Sequence, residues 1–324
     1  MRDHLSTDSP ADLADTRDEA TSPAPGPAGR SAGGPAGSPA DDAKGPVPSL
    51  GEVMELLEDL WPAALAEPWD AVGLVAGRAE APVKKVHFAV DPVRAVVEEA
   101  CAAGADLLIT HHPLLLRPVH SVSAEGSKGE MIHRLIESGC GLATVHTNGD
   151  SAVGGVNDVL AEILGLQDIQ PLKPAPEGLP EEGLGRIGTL STSVALGDFA
   201  ATVFSVLPAV AGGVRAAGDR SGLVQRIALC GGAGDSLLEA ARQAEADVYI
   251  TADLRHHPAS EAREAVRDQR PYLIDVSHFA SEWLWLPPAA RAVDSALADR
   301  GYDVEVAVSG ITTDPWDFVI TPGP

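Results

Sequence analysis

The chain has 324 residues, 44% of them hydrophobic, enough for a sizeable core in one to three domains. Its formal charge of -24 argues against non-specific nucleic-acid binding and against an anionic membrane surface, since a negative protein repels both. No apolar run reaches the roughly 18 residues of a membrane span, and the N-terminus lacks the basic-then-apolar order of a secretory signal, so a cytoplasmic protein is expected.

The three cysteines, Cys101, Cys140 and Cys230, are far apart and match no CxxC pattern, so neither a disulfide framework nor a zinc knuckle is suggested. Residues 1 to 47 are rich in Pro, Ala, Gly, Ser and Asp and read as a disordered tail, too poor in large apolar side chains to offset the entropy of ordering. Folding is expected to begin at Ser49, where Ser49 and Glu52 have capping-box spacing and Val53, Leu56, Leu57 and Leu60 follow at helical intervals. Val86 to Val90 then reads as a strand, Pro92 to Ala103 as a helix opened by proline, and Asp106 to Thr110 as a buried strand. A helix around Lys128 to Ser138, a strand from Gly141 to His146 and a helix from about Gly155 to Leu164 continue the alternation. The pattern is that of an α/β fold with mostly parallel strands.

The first lobe is expected to cover residues 48 to 166. Residues 167 to 222 read as a linker, proline- and glycine-rich to 184, followed by a small strand-helix insertion. The second lobe, 223 to 324, repeats the first: a shift of 141 positions lays Glu98, Ala100, Ala103, Ala105, Asp106, Ile109 and Thr110 on Glu239, Ala241, Ala244, Ala246, Asp247, Ile250 and Thr251. Matches between alanine-rich helices also arise by chance. Two related α/β lobes would gather their strand ends around a shared cleft, the usual ligand position in such sheets.

Histidines concentrate just after the expected strands, in His111-His112-Pro113, His146, His256-His257-Pro258 and His278. Strand ends carry function because a rigid scaffold there holds an exposed side chain. Adjacent histidines point in different directions, so His111 and His112 could each serve a different ion of a two-metal site; the pair also fits an exposed turn stopped by proline. Asp150 closes the run His146-Thr147-Asn148-Gly149-Asp150 and is a plausible carboxylate partner, although Asn-Gly-Asp is also an ordinary turn. His278 and Glu282 have i, i+4 spacing, which suits chelation on one helix face and equally a helix N-terminus with an acidic first turn. Imidazole and carboxylate together suit Zn, Fe, Mn or Ni without choosing among them. His146, His256 and His257 are further candidates around the ligands, with Asp70 and Asp91 able to orient them.

Six ordered segments then carry a specific resemblance. Glu67-Pro68-Trp69-Asp70-Ala71-Val72-Gly73-Leu74, Val90-Asp91-Pro92, Ile109-Thr110-His111-His112-Pro113, His146 to Asp150, Gly154-Gly155-Val156-Asn157-Asp158 and Ile274-Asp275-Val276-Ser277-His278 through Glu282 resemble the GTP cyclohydrolase type 2 homologues, the NIF-three-like family, over residues 48 to 318. The resemblance implies two similar lobes, a toroidal homohexamer and a dinuclear centre in each protomer's cleft. By motif it puts His112 and Asp150 on one ion, His111 and His278 on the other, and Glu282 on both. Members with a large insertion between the lobes carry an extra domain that this chain's short connection does not provide.

The function expected is metal-dependent hydrolysis of a small-molecule or nucleotide substrate with two divalent ions per chain. No GxxxxGK[ST] loop is present to cradle a triphosphate. The competing class is a non-enzymatic protein that binds or delivers metal, or a hexameric scaffold.

Overall fold

The computed structural model describes residues 45–321 apart from 266 and 268, so most of the tail expected over residues 1 to 47 lies outside the described residues. Helix α1 (Leu50–Leu60) starts at Ser49, whose hydroxyl accepts from Glu52 N while the Glu52 carboxylate accepts from Ser49 N, a reciprocal cap. Its apolar face, Leu50, Val53, Leu56 and Leu57, is buried. There follow β1 (Gly73–Ala76), β2 (Lys85–Ala89), α2 (Arg94–Ala102), β3 (Leu107–Thr110), α3 (Ser127–Glu137), β4 (Gly141–Thr144), α4 (Thr147–Ser151) and α5 (Val156–Ile163). The chain continues through β5 (Gln167–Pro174), β6 (Gly183–Ala195), α6 (Leu196–Val206), β7 (Arg215–Ala217), β8 (Leu223–Ala233), α7 (Leu238–Gln243), β9 (Val248–Ala252) and α8 (His256–Glu264). The last elements are β10 (Tyr272–Val276), α9 (His278–Trp283), α10 (Leu286–Asp299) and β11 (Glu305–Val308).

These elements form two sheets, ordered β1-β4-β3-β2-β11 and β5-β6-β8-β9-β10-β7. Each has a parallel centre, β4-β3-β2-β11 in one and β8-β9-β10 in the other, with antiparallel strands outside it. The central strands β3 and β9 are buried along their whole length, as strands covered on both faces must be.

The sequence repeat is visible in the register. Val86 pairs with Leu107 and Phe88 with Ile109; 141 positions later Ile227 pairs with Val248 and Leu229 with Ile250. The same carboxylate clamp starts both units: Asp106 accepts from Lys84 N and Lys85 N, and Asp247 accepts from Gln225 N and Arg226 N. An Asp in each copy thus satisfies two successive backbone donors near the beginning of the neighbouring strand.

The sheets do not follow the sequence divisions. The stretch read as a linker from 167 to 184 contains β5, an edge strand, and an edge is where the ladder tolerates Pro171 and Pro174. Residues 183–217 supply β6 and β7 to the second sheet, and β11 returns to pair with β2 in the first. Among the described residues no helix is long and apolar enough to cross a membrane.

Candidate metal centre

His111 and His112 follow the end of β3, where their backbone N–H groups continue the ladder onto Ala89 O and Val90 O. Asp150 lies on α4, just beyond β4, and His278 and Glu282 lie on α9, just beyond β10. The five residues expected to be ligands thus come from the ends of strands in both sheets, and the structure brings them together.

Two side chains lock the halves of the site to each other. Asn157 donates to Asp150 O at 3.0 Å and accepts from Gly231 N at 2.8 Å, joining the backbone of α4 to the end of β8. Ser281 accepts from Gly232 N at 3.0 Å and donates to His278 O at 2.8 Å, joining the same turn to α9. Behind them Arg186, only 1% exposed, pairs with Asp158 and donates to three backbone carbonyls, so its buried charge is compensated.

Every histidine of the cluster has its Nδ1 engaged. His111 Nδ1 donates to Val145 O at 2.9 Å, His112 Nδ1 to Asp91 at 2.7 Å, His278 Nδ1 to Asp253 at 2.8 Å and His146 Nδ1 to Asp70 at 2.8 Å. A carbonyl can only accept, so His111 Nδ1 carries a proton and Nε2 is the atom that faces the carboxylates of the cluster. Such carboxylate or carbonyl support behind a histidine is the usual backing of a metal ligand.

The Nε2 atoms converge. His112 Nε2 lies 3.1 Å from His278 Nε2, where two lone pairs would face each other unless a proton or a cation sits between them. Two nitrogens sharing one tetrahedral ion at 2.0–2.1 Å bonds would lie about 3.3 Å apart. The oxygens of Glu282 sort the histidines: Oε1 is 3.5 Å from His111 Nε2 and 2.9 Å from His278 Nε2, while Oε2 is 3.1 Å from His112 Nε2. Oε1 thus faces His111 and His278, and Oε2 faces His112. The contact between His112 and His278 cuts across that division, and Asp150 Oδ1 lies 3.7 Å from His111 Nε2 rather than being paired with His112.

Three of the buried polar atoms without a hydrogen-bond partner are His111 Nε2, Asp150 Oδ1 and Glu282 Oε2. Buried polar atoms are costly to leave unpaired, and three at one spot make this a place that could hold a cation. Two sets of side chains, His112-His278-Glu282 and His111-His112-His146, have their ligand atoms within 4.8 Å of one another.

The electrostatics say the same. Burial alone would push the Glu282 carboxyl up, yet the His112, His278 and His111 imidazoles hold it well below the ordinary range. The Glu282 carboxylate raises His278 to about 11 against the effect of burial. Burial opposes protonation of His112 too, but Glu282 and Asp91 raise it to about 10. Burial raises Asp150, against the pull of His111. Protons therefore supply the positive charge the cluster demands when no ion does.

Of the surrounding candidates, Asp70, Asp91 and His146 are at the site, whereas His256 and His257 open α8, are exposed and belong to neither set of ligand atoms. Two residues escaped the sequence reading. Asp253 backs His278, and the repeat carried its signal, because Asp253 stands 141 positions after His112. Gly232, at φ +66, sits where a Cβ would lie 2.3 Å from Glu282 Oε1 and 3.2 Å from His278 Nε2. Its signal was the paired glycine, Gly231-Gly232, near the end of the buried strand β8.

Two α/β sheets with a histidine and carboxylate cluster where their strand ends meet define an α/β protein with a candidate metal-binding cleft. The chain belongs to the Duf34/NIF3 (NGG1p interacting factor 3) family, whose profile it matches over residues 48–315. It is 45% identical over 281 residues to the GTP cyclohydrolase 1 type 2 homolog of Streptomyces coelicolor, covering 86% of this chain and 97% of that one. The homolog of the same name from Mycobacterium tuberculosis is 34% identical, with 83% and 97% covered. Among solved structures, a Bacillus cereus protein related to NIF3 superposes with a TM-score of 0.78 at 25% identity, over 85% of this chain and all (100%) of that one. A Staphylococcus aureus protein superposes at 0.76 and 29% identity, over 84% and 99%.

Proposed function

We propose that the cluster is a dinuclear centre, with His111, His112, Asp150 and His278 as ligands and Glu282 shared between two divalent ions, and that the protein is a metal-dependent hydrolase. The convergence of the unpartnered His111 Nε2, Asp150 Oδ1 and Glu282 Oε2 carries this reading. The donor set fits: neutral imidazoles fixed at Nδ1 and buried carboxylates suit Zn, Fe, Mn or Ni. Divalent ions held there supply Lewis-acid chemistry for hydrolysis.

The chain's own part is to bind, orient and move protons. Asp91 and Asp253 fix the rings of His112 and His278, and burial of Asp150 and Glu282 keeps water from competing for their oxygens. His146, oriented by Asp70 and with a ring nitrogen within 4.8 Å of those of His111 and His112, is placed to hold a proton at the edge of the centre. A cavity of about 660 Å³ reaches His112 and His278 from solvent, within the size range of small-molecule sites, and would admit a small-molecule or nucleotide substrate.

Assembly as a homohexamer and a cytoplasmic location belong to the same proposal. The exposed apolar run Trp316, Phe318, Val319 and Ile320 fits a surface covered by another copy, and the free Cys101, Cys140 and Cys230 fit a reducing compartment. The test is metal quantification on the purified protein, then a hydrolysis screen of the loaded form with GTP, cyclic nucleotides and phosphoesters. Two ions per chain with turnover of one class are expected. Ions that leave readily to a chelator, with no turnover, would overturn the hydrolase reading in favour of metal delivery.

A further inference from the structure

Beyond β11 the chain runs back across the mouth of the candidate centre, and two consecutive side chains of this segment touch its supports. Thr313 Oγ1 donates to Asp91 Oδ2, and the other oxygen of Asp91 accepts from His112 Nδ1 at 2.7 Å. Ser277 Oγ donates to Asp314 Oδ2 while accepting from Ala280 N at 3.2 Å, as the N-cap of α9. That helix carries both His278 and Glu282. Asp314 is itself held, since its Oδ1 accepts from Trp316 N at 3.0 Å. Residues of the same segment, Thr313, Asp314 and Trp316, line the same cavity as His112 and His278.

We propose that Thr313 and Asp314 are positioning residues of the metal centre: Thr313 fixes His112 through Asp91, and Asp314 fixes His278 and Glu282 through the Ser277 cap. This rests on the metal-centre reading above. A carboxylate that backs a histidine orients it only if its own rotamer is fixed, and the Thr313 hydroxyl holds the oxygen of Asp91 that His112 does not use. A six-residue helix has little stability of its own, so the direction of α9 depends on its cap and on what holds that cap. One short segment therefore sets ligands contributed from both sheets.

The test uses the full chain loaded with Co²⁺, reading its visible absorption and the rate of Co²⁺ loss to excess chelator, with melting of the metal-free protein measured alongside. Thr313→Val and Asp314→Ala are expected to release Co²⁺ about tenfold faster and to alter the absorption band, while Thr313→Ser and Asp314→Asn, which keep a donor and an acceptor respectively, restore both. Metal-free melting should stay within about 2 °C of the parent. Unchanged release in Thr313→Val and Asp314→Ala overturns the positioning role, as does faster release that tracks a lower metal-free melting point and is not rescued by the conservative variants. A parent protein that takes up no Co²⁺ overturns the metal-centre reading, and this proposal with it.

Discussion

Replacing Gly232 by alanine should separate backbone strain from damage to the centre. At φ +66 a residue with a side chain costs about 1–2 kcal/mol, from the clash of Cβ with its own carbonyl. The new Cβ would also stand 2.3 Å from Glu282 Oε1, roughly 1 Å inside ordinary contact, so the carboxylate must move by about that much. Glu282 is 2% exposed on a helix packed against β8 and β9 and tied to Gly232 N through Ser281, which leaves no open space to swing into. A ligand displaced by twice the roughly 0.5 Å tolerance of a working site should lose about 100-fold in metal affinity. The control is Gly104→Ala, whose φ of +67 carries the same strain but whose Cβ meets nothing within 4 Å. Both variants should melt about 2–8 °C lower when metal-free. Only Gly232→Ala should lose metal in a chelator competition. Parent-like affinity in Gly232→Ala, or equal loss in both variants, would refute the steric argument.

Other expectations concern the same centre. Glu282→Ala should abolish binding of at least one ion; two ions per chain retained in metal analysis would remove its bridging role. Asp253→Ala and Asp91→Ala should each weaken metal binding about 10- to 100-fold by freeing the His278 and His112 rings, read by competition with a chromogenic chelator. His112 and His278, raised to about 10 and 11, stabilise the metal-free fold fully below the unfolded histidine value near 6.5, and that contribution is lost as pH rises towards 11. Ions displace those protons, so the gap in melting temperature between loaded and metal-free protein should widen from pH 6 to pH 10. A gap that stays constant across that range contradicts the protonated cluster.

Much of this was legible in the sequence because local chemistry and global fold agree in particular places. Ser49 and Glu52 announced α1, and the Ala-Asp strand starts announced two parallel units whose registers coincide at a shift of 141. The residues of the cluster were legible as candidates because they follow the ends of strands β3, β4 and β10. The β5 strand was hidden because Pro171 and Pro174 disqualify an inner strand but not an edge one, and composition does not show which strand becomes an edge. Gly232 and Asp253 left only indirect signals, a paired glycine and a position in the repeat, because their roles are set by what packs against them from α9. Which side chains of the cluster touch was the hardest to read, since it depends on ångström distances between residues far apart in the chain, such as His112 and His278, 166 positions apart.

The return of β11 to the first sheet bears on the order of events during synthesis. Strand β2 ends at Ala89, but the strand that lies against its outer side begins only at Glu305. A chain emerging from its N-terminus therefore carries β2, β3 and β4 with one side of β2 unpaired through most of its translation, the condition in which strands recruit wrong neighbours. His111, His112 and Asp150 leave the ribosome early, whereas His278 and Glu282 are made only shortly before the strand that shields β2. Completion of the candidate cluster and protection of that bare edge thus fall in the same late interval of synthesis.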